Sequence, residues 1–151
     1  MPPRLRVIHA AIALIERRGR YLIARRHRDD SHPGCWEFPG GKRERGESLL
    51  ACLRRELREE LGVTIKDVRP FHTLRYRYVD GEVRFRVFRC TIARGTPRPL
   101  DAEALRWVRP AHLWRYRFPP ANAPLVQRLS RPLSRRTQSG IISIRRRRTT
   151  P

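Results

Sequence analysis

Gly41-Lys42-Arg43-Glu44-Arg45-Gly46-Glu47-Ser48-Leu49-Leu50-Ala51-Cys52-Leu53-Arg54-Arg55-Glu56-Leu57-Arg58-Glu59-Glu60-Leu61-Gly62-Val63 is the stretch on which the reading of this chain turns. Ser48 can cap a helix, Leu50, Leu53, Leu57 and Leu61 recur at helical spacing, and Gly62 offers a left-handed stop. A helix is therefore predicted from Ser48 to Leu61. On it Glu56, Glu59 and Glu60 stand at i, i+3 and i+4, so three carboxylates share a face beside the leucines. Two readings compete for such a face. It is either a solvated surface neutralised by Arg54, Arg55 and Arg58, or a seat for a hard cation such as Mg²⁺, which takes oxygen ligands and keeps positions for water and phosphate.

The spacing around the helix decides between them. From Gly41, five residues lead to Glu47, and seven more lead to the run Arg55 to Val63. This resembles the Nudix box, Gly-x5-Glu-x7-Arg-Glu-U-x-Glu-Glu-x-Gly-U with U apolar, at every fixed position. Chance would produce such a match in fewer than about one chain in a million of this length. Two flanking strings narrow the resemblance. Trp36-Glu37-Phe38-Pro39-Gly40-Gly41-Lys42 and Phe118-Pro119-Pro120-Ala121-Asn122 both look like the MutT branch, which hydrolyses oxidised guanine nucleoside triphosphates. The likeness covers about Val7 to Leu129.

Carried over position by position, the resemblance implies metal binding by the Gly41 carbonyl and by Glu56, Glu59 and Glu60. Mg²⁺ is the implied ion and Mn²⁺ its alternative. Glu47 and Arg55 look like the pair that ties the loop to the helix and supports catalysis. The implied reaction is attack of a metal-activated water on an internal phosphorus, with Glu56 or Glu59 taking the proton and monophosphate and pyrophosphate leaving. Arg26 occupies the position of a phosphate-contacting arginine, with Arg25 a close competitor, and Lys42 is placed to reach the pyrophosphate end. Base recognition falls to Asn122, whose amide both donates and accepts, with help from main chain around Phe38 and from Tyr78. The plain alternative for Asn122 is an N-cap.

The chain departs from the branch in two places. Arg106 stands before Trp107 where members often carry an acid, leaving Glu103 to move in or the site to work with fewer acids. Gly81 sits at a hairpin tip where an arginine is expected.

Around this centre, Val7 to Ile15 and Tyr21 to Ala24 read as strands of a hairpin, and Cys35 to Phe38 as a short strand running into a loop. Phe71 to Val79 and Val83 to Ile92, joined by Asp80-Gly81, read as a second hairpin. Leu105 to Val108 reads as a strand, Pro110 to Leu113 as one helical turn and Asn122 to Leu129 as a last helix. The implied fold is α/β, an α/β/α sandwich with a mixed curved sheet.

The 151 residues suffice for one domain, expected over 1–130, with 131–151 a basic, disordered tail. There are 35 basic residues, all arginine except Lys42 and Lys66, against 14 acidic ones. The net charge of +21 attracts phosphates or nucleic acid and says nothing about the fold. Three separated cysteines suggest neither a disulfide framework nor a zinc knuckle, so a reducing cytoplasm is the expected compartment. The longest apolar run is too short to span a bilayer, and no membrane partner is expected.

The function expected is Mg²⁺-dependent hydrolysis of 8-oxo-dGTP to 8-oxo-dGMP and pyrophosphate, by a monomer acting on a free nucleotide. The rivals are the same chemistry on a dCTP-like nucleotide or a 5′-triphosphorylated RNA end, and a non-catalytic nucleic-acid-binding module that uses the basic surface.

Overall fold

The computed structural model describes residues 4–131; the segment from 132 onward, which holds nearly all of the expected tail, lies outside the described residues. Seven strands form one mixed sheet in the order β3-β2-β1-β6-β5, with β4 beside β1 and β7 beside β2. The strands are β1 (Arg6–Arg17), β2 (Arg20–Arg25), β3 (Trp36–Glu37), β4 (Gly40–Lys42), β5 (Thr64–Tyr78), β6 (Gly81–Arg94) and β7 (Ala104–Val108). The helices are α1 (Leu49–Leu61) and α2 (Ala123–Ser130), with 3-10 turns at Pro110–Arg115 and Pro120–Asn122.

The strand β1 organises the sheet. It runs parallel to β6 over Arg6 to Ile15, takes β4 antiparallel on its other side at Ala10 to Ile12, and turns into β2 at Glu16 and Arg17. Its side chains alternate between two cores, as a strand's must. Ala11, Ala13 and Ile15 face α1 and meet Leu53, Leu57 and Leu61. Ile12 and Leu14 face the other way and meet Phe38, Leu113 and Leu125 beneath α2 and the 3-10 turns. This is the expected sandwich, with a helical layer on each side of a curved sheet that does not close.

The helix α1 follows its sequence signals closely. Ser48 Oγ accepts from the Ala51 N–H at 3.0 Å, and Gly62 adopts φ +71° at the C-terminus, its N–H bonding to the Arg58 carbonyl at 3.0 Å. The buried stripe differs from the expected one at its start. Leu50 is 39% exposed and Cys52 is fully buried in its stead, because the sheet lies toward the Cys52 side of the first turn. Each leucine buried here contributes about 1.5–3 kcal/mol relative to exposure.

Two strands exceed their sequence signals. The strand β5 begins at Thr64, so it runs through Pro70, which survives because β5 is an edge strand with a register shift beside that residue. The strand β4 replaces the expected loop after Phe38. Here the chain leaves β2 for β1, and Gly40 makes the change at φ +149° with no room for a side chain, since a Cβ would fall 2.0 Å from the Ala11 carbonyl oxygen.

Candidate active site

A cleft of about 850 Å³ opens between the α2-side face of the sheet and the loops above it. Its floor is Ile8, Ala10 and Ile12 of β1 with Tyr76, Tyr78, Val83 and Phe85 of the β5–β6 hairpin. Arg26, Phe38, Gly41, Lys42, Glu60, Tyr78 and Asn122, all expected at the site, line this one cleft despite lying on six different segments of chain.

Aromatic contacts bring the two flanking strings together. Trp36 meets Tyr116 edge-on at 5.4 Å between centroids, and Phe38 stacks on Phe118 at 5.2 Å. The Trp36 N–H donates to the Arg117 carbonyl at 2.7 Å. Phe38 is thereby buried to 4% exposure within the α2-side core while also lining the cleft. Asn122 precedes α2 but makes no side-chain capping bond. Asn122 thus holds the N-cap position without using its amide there, and it lines the cleft.

At the other end of the cleft, Gly41 touches the α1 carboxylates. A Cβ on Gly41 would lie 2.4 Å from Glu56 Cδ, so only glycine lets this backbone approach the carboxylate. Glu60 accepts from the Gly40 N–H at 3.2 Å. Burial first, and the neighbouring Glu56 charge second, push the Glu60 carboxyl up to about 9. Two acids crowded into a pocket, one of them holding a proton, form a place where a cation is favoured. Glu59 is the most exposed of the three, its side chain 62% exposed, and it shares an Arg55 nitrogen with Glu56. Among the described residues no three acidic, histidine or cysteine side chains converge closely enough to hold a metal by themselves. The expected face of three carboxylates is thus divided in its partners: Glu56 and Glu59 meet at one Arg55 nitrogen, at 3.0 and 3.2 Å, while Glu60 turns to the Gly40 N–H.

Arg55 is the hub of the charged end. It donates to both oxygens of Glu47, at 3.0 and 2.7 Å, and to Glu56 at 3.0 Å, Glu59 at 3.2 Å and the Lys42 carbonyl at 3.2 Å. These bonds, with one from the Glu44 N–H, hold the Glu47 carboxyl down to about 2. The helix and the Lys42–Glu47 loop are therefore tied together through one guanidinium. Cys52 and Cys90 are pushed up to about 11 and 12 by burial, which leaves both thiols protonated and rules them out as nucleophiles.

A domain model described as "NUDIX domain" matches residues 5–129. The chain belongs to the Nudix family. It is 35% identical over 124 residues to the CTP pyrophosphohydrolase of Escherichia coli, covering 82% of this chain and 91% of that one. It is 29% identical over 128 residues to the 8-oxo-dGTP diphosphatase of the same organism, covering 84% and 99%. Among solved structures it resembles MutT from a study of Aliivibrio salmonicida and Vibrio cholerae, with TM-score 0.69, 31% identity and coverage of 83% and 98%. The E. coli ORF135 protein gives TM-score 0.70, 31% identity and coverage of 86% and 96%. This chain is a Nudix hydrolase, an enzyme family whose members need divalent metal ions. No helix among the described residues is long and apolar enough to cross a membrane.

Three sequence questions about this Nudix site have structural answers. Of the two competing arginines, Arg26 lines the cleft, held by Glu37, Ser31 Oγ at 3.0 Å and the Ser31 carbonyl at 2.7 Å, whereas Arg25 points to Glu103 at 3.7 Å. Glu103 has not moved in: it accepts from the Arg28 N–H at 3.2 Å, outside the cleft. Arg106 lies over the Trp36 ring at 5.6 Å. At Gly81 a Cβ would crowd the Arg6 carbonyl oxygen, so any side chain at this position requires the paired backbone of β1 to shift.

Sequence reasoning missed Glu37, Asp30 and Asp101, which also line the cleft. Burial pushes Glu37 up despite its ion pair with Arg26. Glu37 stood inside a quoted string and was within reach. Asp101 was not, since only the antiparallel pairing of Ala104 with Arg25 brings the segment before β7 to the cleft mouth.

Proposed function

We propose that this Nudix hydrolase acts on a purine nucleoside triphosphate, with 8-oxo-dGTP as its substrate and 8-oxo-dGMP and pyrophosphate as products, so that it cleanses the nucleotide pool. The observation that carries this reading is Asn122. Its side chain makes no cap bond, and it lines the same cleft as Gly41 and Glu60, with Glu56 set against Gly41. An amide that both donates and accepts suits a purine edge carrying both kinds of group. Tyr78 and the main chain at Phe38 support the base, while Arg26 and Lys42 meet the phosphates.

Gly41, Glu56, Glu59 and Glu60 would hold Mg²⁺ or Mn²⁺, the ion supplying a water of lowered pKa and charge to offset the leaving group. The crowding of Glu56 on Gly41 and of Glu60 on Glu56 fits such an ion. Water attacks an internal phosphorus, Glu56 or Glu59 accepts its proton, and Glu47 with Arg55 holds the helix and loop in register.

A second substrate has one observation in its favour, the 35% identity to a CTP pyrophosphohydrolase. The deciding experiment is pyrophosphate release from 8-oxo-dGTP, dGTP, dCTP, CTP and a 5′-triphosphorylated RNA with Mg²⁺. The highest kcat/KM on 8-oxo-dGTP is expected. A preference for CTP or dCTP transfers the reading to the pyrimidine, and release from RNA alone removes both.

A further inference from the structure

A second concavity, of about 440 Å³, is lined by Arg6 to His9 of β1 and by Lys42 to Glu47 of the loop before α1. It adjoins the nucleotide cleft, for Ile8 and Lys42 line both. Its cations are unbalanced. Arg6, Lys42, Arg43 and Arg45 all border it, and among the described residues none of them has a carboxylate within 4.0 Å. The two acids in its wall are engaged elsewhere, Glu47 by two hydrogen bonds from Arg55 and Glu44 by Arg55 at 3.7 Å.

The loop that carries Lys42, Arg43 and Arg45 is held at both ends. The Arg43 N–H donates to the His9 carbonyl at 2.8 Å, and Glu47 is locked to α1 through Arg55. Four cations kept around one hollow repel each other, and a polyanion relieves that repulsion. The position of the hollow selects the polyanion. Gly41 and Lys42, next to each other on β4, line the cleft, and Lys42 also lines the hollow, so a phosphate chain seated at Gly41 has the hollow as its neighbouring space.

We propose that this hollow is a subsite for phosphate groups beyond the bond that is cleaved, so that cleft and hollow together accept a phosphate chain longer than a triphosphate. The ligand class is a linear polyphosphate, free or carried on a nucleoside. The inference rests on the nucleotide reading above, which sets the direction of the chain.

Its test begins with calorimetric titration of inorganic tripolyphosphate into the full chain in the presence of a chelator, so that neither metal nor turnover enters. Tripolyphosphate is expected to bind more tightly than orthophosphate. The double variant Arg43→Ala, Arg45→Ala is expected to weaken tripolyphosphate at least about tenfold and to raise KM for a nucleoside tetraphosphate, with kcat and KM for the triphosphate unchanged. Arg6→Ala, on the opposite wall, should weaken tripolyphosphate in the same way without touching the loop. Unaltered tripolyphosphate binding in both variants overturns the proposal. So does a 5′-hydroxyl oligonucleotide that binds as tightly as tripolyphosphate and is lost with the same residues, since the occupant is then a phosphodiester backbone. Tripolyphosphate binding with no nucleotide hydrolysis would overturn the proposed function and leave the subsite standing.

Discussion

The two ends of the cleft are built in opposite ways. At the charged end the carboxylates are gathered by one side chain: Arg55 alone bonds Glu47, Glu56, Glu59 and the Lys42 carbonyl, all from residues within one loop and one helix. At the base end Phe38, Phe118, Tyr76, Tyr78 and Asn122 come from distant segments, and the Asn122 amide makes no capping bond. A locally built end, tied together through one guanidinium, holds charge in place for chemistry that does not vary. An end assembled from afar, with an amide to spare, is where substrate choice resides. The two can change independently.

The largest effect should come from the charged end. Glu56→Gln, which keeps size but removes the charge set against Gly41, is expected to lower kcat by about a thousandfold on every nucleotide. A loss confined to one nucleotide would show that the two ends are not separate. Next comes Arg55→Lys. Lysine cannot make the paired bonds to Glu47 while reaching Glu56 and Glu59, so apparent Mg²⁺ affinity should fall about 10- to 100-fold, read as a shift in the metal dependence of turnover. At the base end Asn122→Ala should leave kcat within a few-fold and reduce the preference among bases by about tenfold, the cost of an unpaired polar edge. Equal losses on all nucleotides would place Asn122 in positioning rather than in reading.

The smallest effect is on stability, and within the charged end it has two signs. Glu60 titrates near 9 in the fold against 4.5 for the free side chain. The folded chain therefore keeps a proton that the unfolded chain gives up, and stability falls as pH rises from about 4.5 to about 9. Mg²⁺ competes with that proton. Thermal unfolding with chelator should show Tm declining across the upper part of this range, and added Mg²⁺ should flatten the decline. Glu47 works the other way. Held near 2, its contribution is complete above about 4.5 and is lost as pH falls toward 2. A Tm that ignores Mg²⁺ across the alkaline range would remove Glu60 from the cation's neighbourhood.

The same contrast explains what could be read from the sequence. The helix and its caps were legible because every contact lies within about two dozen residues of chain and the spacing carries the geometry, while the pairing of Arg55 with Glu47 came from the family resemblance. The base end was legible only through strings that resemble a family. Composition and periodicity do not show that Trp36 and Phe38 will meet Tyr116 and Phe118. Nor do they show that Asp101 reaches the cleft while Glu103 turns to Arg25 and Arg28, since a two-residue difference is decided by the register of β7 on β2. The start of β5 was hidden by Pro70, whose usual meaning as a strand breaker is cancelled at a sheet edge. The exposure of Leu50 could not be seen because periodicity marks a stripe, not which side of its first turn the sheet will cover.

β1 is in register with β4 and β6 at once, with Ala11 opposite both Gly41 and Arg86. Loss or gain of a single residue before Ile12 would exchange its two faces, bringing helix-seat residues to the cleft floor and floor residues against α1. A change of two would restore the faces but carry Ala11 away from the glycine that its carbonyl crowds. The length of this strand is consequently under far tighter constraint than its composition: apolar substitutions of similar size can be absorbed at many of its positions, whereas no small insertion or deletion can.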